Sequence, residues 1–228
     1  MVKKFGLVAL ALIAIAALGG MSAGAAFAQT APDPAAAPAA ANPAAADPAA
    51  AAAITVPDMI IGNKDSKVTL MEYASFTCPH CAQFHKDVFK QLKKDYIDTG
   101  KIKFVYREVY FDRYGLWAAM IARCGGEMRY FGISDILLST QADWAASDDP
   151  AVVVENLKKI GRTAGMDDAA MGVCLDNAPM AEAMVAAYQT NSVADKVEGT
   201  PTLLVNGVKY SNMPYDELKK ILDAELAK

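Results

Sequence analysis

Cys78 and Cys81 enclose a Pro-His pair and sit where a strand pattern gives way to a helix pattern. Lys67–Ser75 (KVTLMEYAS) is apolar on both faces, the mark of a central strand. In the next segment, Cys78–Asp98, Phe84, Val88, Leu92 and Tyr96 recur every four residues and Phe89 widens the stripe, which predicts a helix closed by Asp98-Thr99-Gly100. Ile102–Tyr110 (IKFVYREVY) reads as a second strand. A strand–helix–strand unit implies a parallel pair joined by a crossover helix. It also places the first cysteine of the pair where that helix begins.

The pattern then changes. From about Tyr114 to Val193 it is helical, with no good strand candidate, and Gly125-Gly126, Asp148-Asp149-Pro150, Gly165 and Asn177-Ala178-Pro179 divide it into four or five helices. Strand signals return at Thr202–Val205 and Val208–Tyr210. The Asn206-Gly207 pair between them is a strong hairpin signal. Ser211–Lys228 reads as an amphipathic helix, with Pro214 near its start and Leu218, Ile221, Leu222 and Leu226 on one face. The expected architecture is an α/β core, residues 54–113 and 194–228, interrupted by an all-helical insert, residues 114–193.

The preceding residues have a different character. Residues 1–28 carry Lys3 and Lys4, then an apolar stretch from Phe5 to Leu18, then Ala26-Phe27-Ala28. This is the pattern of a cleavable export signal, the alternative being an uncleaved anchor. Residues 29–53 are dominated by Ala and Pro. Pro32, Pro34, Pro38, Pro43 and Pro48 interrupt any continuous helix, so an extended linker is expected. The chain is 54% hydrophobic, but much of the excess is alanine in these two segments. Beyond them no uncharged apolar run reaches the roughly 18 residues that would suggest a membrane span. A net charge of −4 argues against a nucleic-acid surface. Export bears on the chemistry, because disulfides persist in oxidising compartments.

At a helix N-terminus, unpaired N–H groups and the positive dipole end stabilise a thiolate at Cys78. Pro79 suits the first helical position. His80 adds a nearby donor, and Cys81 lies about one turn on. Lowering the Cys78 pKa by about three is worth about 4 kcal/mol. That raises the reduction potential by roughly 90 mV, toward an oxidant of other thiols. Two other uses of these residues stand beside the redox one. They are a structural disulfide at this spacing, and a metal site using Cys78, His80, Cys81 and His85, for which no second Cys/His cluster exists to complete a closed zinc site.

The run Glu72-Tyr73-Ala74-Ser75-Phe76-Thr77-Cys78-Pro79-His80-Cys81, followed by Phe84-His85, resembles the DsbA family of exported thiol–disulfide oxidoreductases. Gly199-Thr200-Pro201-Thr202 resembles that family's loop before the hairpin, and the helical insert falls where the family carries one. The resemblance covers roughly residues 55–228. It implies a thioredoxin fold, with Cys78 as the exposed nucleophilic sulfur and Cys81 as its buried partner. Pro201 would be a cis-proline packed against the active pair, and Thr200 would help set redox character and pair with substrate backbone. Glu72 is an acid inside an apolar strand, which places it either at an exposed edge or in a functional burial. The resemblance implies a buried acid assisting proton transfer with Cys81. His85, one turn beyond Cys81, reads as a helix-surface or packing residue. Cys124 and Cys174 both lie in the insert. In an oxidising compartment a structural bridge between them is expected, the alternative being two separate buried thiols. Such a bridge closes a loop of about 50 residues, worth about 4 kcal/mol in the chain-entropy model.

The expected function is a monomeric periplasmic dithiol oxidase that needs no metal or cofactor. Its clients would be unfolded exported proteins held near Pro201, and the resemblance implies a quinone-linked membrane partner for reoxidation. After signal cleavage no stable membrane insertion is expected, and no nucleic-acid partner. The rivals are a disulfide isomerase or reductase on the same fold, and a periplasmic Cys/His metal-binding module.

Overall fold

The structure is a computed structural model and describes residues 54–228. The expected export signal and Ala/Pro linker lie outside the described residues. Five strands form one sheet: β1 (Met59–Gly62), β2 (Thr69–Ala74), β3 (Lys103–Glu108), β4 (Thr202–Val205) and β5 (Val208–Ser211), in the spatial order β1-β3-β2-β4-β5. β2 and β3 are parallel, as the strand–helix–strand pattern requires, and the other neighbours are antiparallel. β2 is thus the central strand. β1 was not foreseen: four residues, MIIG, are too few to establish an alternation.

The crossover is one continuous helical path over residues 79–97. It runs through α1 (Pro79–Phe84), a π-helical turn (His85–Phe89), α2 (Lys90–Leu92) and a second π-helical turn (Lys93–Ile97). The π turns explain the sequence pattern. A strict four-residue repeat would drift around an α-helix of 3.6 residues per turn. Turns closed by i→i+5 bonds are wider and cancel that drift. Phe84, Val88, Leu92 and Tyr96 are accordingly all buried on one face.

The two faces of the sheet differ. On one, Leu70 and Ala74 of β2, Phe104 and Tyr106 of β3, and Leu203 and Val205 of β4 join the main core with Cys81 and Phe84. The same core takes Leu218 and Leu222 of α9 (Tyr215–Leu226). On the other face, Tyr73, Val109 and Leu204 form a smaller cluster with Tyr188 and Val197. At this face Arg107 is paired with Asp58 and Asp195, at 2.8 and 2.9 Å, and also donates to the Tyr73 hydroxyl at 2.7 Å.

Between β3 and β4 run α3 (Arg113–Cys124), α4 (Glu127–Ser139), α5 (Gln141–Trp144), α6 (Pro150–Thr163), α7 (Asp168–Leu175) and α8 (Ala178–Ala194). Six helices replace the expected four or five, because the segment after Gly126 breaks at Thr140 without a Gly or Pro to mark it. Side chains of Asp112, Asp149, Asp167 and Asn177 cap α3, α6, α7 and α8 by accepting from backbone N–H groups of their first turns. The insert is tied to the sheet through buried Glu108, which accepts from Arg123 at 2.8 and 2.6 Å and from the Tyr130 hydroxyl at 2.7 Å. Such a carboxylate is costly to bury without these partners. In the hairpin, Asn206 and Gly207 both have positive φ, 47° and 84°, which the two-residue turn requires.

Cys124 and Cys174 are joined by a disulfide that ties the end of α3 to α7, with Cα atoms 6.0 Å apart. The loop it closes spans 50 residues. Replacing both cysteines by alanine is expected to lower unfolding free energy by about 4 kcal/mol on the loop-entropy argument. Denaturant titration of the double variant measures it, and an unchanged midpoint would contradict the assignment of stability to this bridge.

Candidate active site

Strand β2 ends at Ala74, and the chain turns through Ser75, Phe76 and Thr77 into α1. The turn is held by its own hydrogen bonds. The Cys78 N–H donates to Ser75 O at 3.2 Å, and the Thr77 N–H donates to Ser75 Oγ at 3.3 Å. Thr77 Oγ1 donates to Asp112 Oδ2 at 2.7 Å, linking the turn to the cap of α3. Cys78 occupies the N-cap position with extended backbone (φ −86°, ψ 116°), and Pro79 follows in the first turn, where its missing N–H costs nothing.

Cys78 and Cys81 are free thiols. Cys78 retains 8% exposure and Cys81 none, so only Cys78 can be reached from outside. The Cys81 thiol is hydrogen-bonded to the Cys78 sulfur and is the strongest influence holding the Cys78 pKa down. Burial opposes this, while the Thr200 hydroxyl and the N–H groups of Cys81 and His80 add to it. The balance leaves Cys78 at about 5. The same sulfur–sulfur hydrogen bond, then burial, then the charge of Glu72 push Cys81 far above the ordinary thiol range. The pair is therefore asymmetric: a thiolate at the surface and a protonated thiol beneath it at neutral pH.

The loop before β4 faces this pair. The Thr200–Pro201 peptide bond is cis, and Pro201 is buried. Cys78 Sγ lies 3.6 Å from Thr200 O, a weak S–H donor contact in the thiol form. The Thr200 hydroxyl is buried and makes no hydrogen bond among the described residues. It lies beside both sulfurs, where it favours their ionised forms. His80 is exposed on the first turn of α1.

Glu72 lies in the central strand, not at an edge, and is 2% exposed. Burial, with the negative charge of Cys78 added, pushes its pKa up to about 8. It is consequently protonated through neutral pH; once ionised, its charge disfavours ionisation of Cys81. Of the two readings of His85, surface or packing, the structure shows packing. It is buried, its Nε2 is 2.7 Å from Asp135 of α4, and its ring stacks on Phe89 at 4.9 Å.

Two residues near the site escaped the sequence reading. Tyr106 stands opposite Glu72 in the β2–β3 register. Its ring packs 5.7 Å from Phe76, and its buried hydroxyl has no hydrogen-bond partner among the described residues. Gln141, from the insert, donates to backbone carbonyls of the redox turn. A tyrosine in a strand and a glutamine in a helix give no sequence signal of these placements.

A dithiol at the start of a helix, facing a cis-proline on a sheet of this order, with helices inserted between β3 and β4, defines a thioredoxin-like fold with a helical insert. Residues 54–224 match a family model described as thioredoxin, and the chain belongs to that family. The fold is that of the DsbA proteins: α-DsbA1 of Wolbachia pipientis superimposes with a TM-score of 0.70 at 23% identity, covering 76% of this chain and 94% of that one. BdbD of Bacillus subtilis gives 0.67 at 24% identity, covering 75% and 94%. A Rickettsia typhi protein named as a protein-disulfide oxidoreductase is 39% identical over 170 residues, which are 74% of this chain and 62% of that relative. The chain thus spans less than two thirds of that relative's length. Disulfide bond formation protein D of Bacillus subtilis is 26% identical over 174 residues, 73% of this chain and 76% of that one.

The buried acid has a pH signature. Because the folded-state pKa of Glu72 is raised, its contribution is fully present below about 4.5 and is lost as pH rises through about 8. In the oxidised protein Cys78 carries no charge and burial alone acts on Glu72, so stability should fall as pH rises from about 4.5 toward 8, by less than about 5 kcal/mol. Glu72→Gln should flatten that fall. Denaturant unfolding at a series of pH values tests it, and an equal slope in both proteins would refute the assignment.

Proposed function

We propose that this protein is an exported thiol–disulfide oxidoreductase that transfers its Cys78–Cys81 disulfide to thiols of unfolded client proteins. The carrying observation is the asymmetry of the pair, with an accessible sulfur at about 5 above a fully buried one held far higher. A client thiolate attacks Cys78 Sγ, the sulfur with exposure. The Cys78–Cys81 bond breaks, and a mixed disulfide forms between the client and Cys78. Cys81 leaves with the electron pair and needs a proton, which Glu72, neutral at pH 7, can supply. A second client thiolate then attacks the client sulfur of the mixed disulfide and expels Cys78 as a thiolate. The client has lost two electrons and gained a disulfide, and this protein holds a dithiol.

Release of Cys78 is favourable because its thiolate is stabilised. Depression from the ordinary 9.0 to about 5 makes Cys78 a good leaving group near neutral pH. By sign, this stabilisation of the reduced form is fully present above pH 9 and disappears as pH falls through 5. Continued turnover requires an oxidising partner, in this reading a quinone-linked membrane protein. Residues 1–28 serve as the export signal, 29–53 as a linker and 54–228 as the catalytic domain, which works as a periplasmic monomer. Cys124–Cys174 is its structural disulfide. Thr200 and Pro201 line the client's approach, and His80 sits at its rim.

Two measurements test the proposal. Oxidation of a reduced, unfolded client is expected to be lost in Cys78→Ser, and full activity in that variant would overturn it. Equilibration of the Cys78–Cys81 pair with glutathione is expected to give a potential nearer about −120 mV than about −270 mV. A value near the lower figure would instead indicate a reductase.

A further inference from the structure

Gln141 opens α5, a short helix of the insert, and is 9% exposed. Its Nε2 donates to two backbone carbonyls of the redox turn, Phe76 O at 2.8 Å and Cys78 O at 3.0 Å. These partners lie 65 and 63 residues earlier in the chain. The Cys78 carbonyl also accepts the first hydrogen bonds of α1, from Cys81 N at 3.0 Å and Ala82 N at 3.2 Å. The amide of Gln141 therefore bears on the peptide units that flank Thr77 and Cys78. Those units determine how the Cys78 side chain stands relative to the start of the helix.

The clamp is itself held firmly. Trp144, buried at the other end of α5, donates from Nε1 to Leu137 O of α4 at 2.8 Å. Thr140 Oγ1 donates to Ile136 O at 2.8 Å just before α5 begins. A glutamine side chain has several rotatable bonds, and ordering it costs entropy. Here that cost falls on a group whose two donors would otherwise leave a buried carbonyl unpaired.

We propose that Gln141 is a positioning residue for the redox turn: by holding the Phe76 and Cys78 carbonyls it fixes how Cys78 Sγ stands over the N-terminal end of α1. The inference rests on the reading of Cys78 as the reacting sulfur. It assigns to the insert a part in the chemistry that the sheet and α1 do not supply. Without the clamp, the Phe76 carbonyl must find another donor while the Cys78 carbonyl keeps only Cys81 and Ala82, the turn relaxes, and the sulfur shifts relative to the positive end of α1.

The test is a titration of the Cys78 thiolate by its ultraviolet absorbance in the reduced full chain. It needs no client and no oxidase activity. Gln141→Met keeps the length and removes both donors. It is expected to raise the Cys78 pKa by about one pH unit, a tenfold change in the proton equilibrium. Gln141→Asn, whose amide falls short of the carbonyls, should shift it in the same direction and decides the matter if the methionine variant does not fold. Ser134→Ala provides the comparison: it removes a buried hydrogen bond of the insert, to Tyr130 O at 2.8 Å, away from the turn. It should lower the melting temperature while leaving the titration unchanged. A wild-type titration curve in a folded Gln141 variant, or the same shift in Ser134→Ala, would overturn the positioning role and leave Gln141 with packing alone. Failure of Cys78→Ser to abolish oxidation would instead strike the parent reading, so the two failures are separable.

Discussion

Parallel pairing of β2 with β3 is the constraint on which the site depends. Two parallel neighbours cannot be joined by a tight turn, so the chain must leave the end of the central strand and return across one face of the sheet. The return begins at Cys78. Cys78 is thereby delivered to three things at once: the N-terminus of a helix, the C-terminal edge of the sheet, and the loop that enters β4 beside β2. The positive end of the helix and the low-dielectric core lie on either side of the same pair of sulfur atoms.

That placement separates two cysteines that are identical in chemistry and three apart in sequence. One turn of helix carries Cys81 into the core, alongside Phe84 and above the acid of the central strand. Cys78 stays at the rim, where backbone N–H groups replace part of the water it has lost. The hydrogen bond between the sulfurs then acts in opposite directions on its two ends. It stabilises a charge on the acceptor and holds the proton on the donor. Glu72 strengthens the division, because a negative charge at Cys81 and one at Glu72 compete for the same poorly solvated space.

Much of this was legible in the residues, and the exceptions have a common cause. The four-residue spacing of Phe84, Val88, Leu92 and Tyr96 marked the crossover helix, although not its π turns, since periodicity reports a face and not a hydrogen-bond register. Asn206-Gly207 marked the hairpin because its backbone conformation is chemically demanding. Glu72 was visible as an anomaly, an acid among apolar neighbours. Gln141 and Tyr106 were not, because a polar side chain acquires its meaning from partners brought close only by tertiary folding. For His85 the sequence left surface and packing open, because its burial goes with a partner, Asp135, 50 residues away.

The insert also has a consequence for the order in which the site can come into being. Thr200 and Pro201 are synthesised 122 residues or more after Cys78, behind all six helices of the insert. A growing chain presents its cysteine pair at the start of the crossover helix before β4, which pairs with the central strand, exists. Contacts so distant in sequence close late, since the intervening loop must be gathered first. Until then the pair lacks the contact of Thr200. The full division into a thiolate and a buried thiol is reached when the segment carrying Thr200 and Pro201 folds back against β2 and α1.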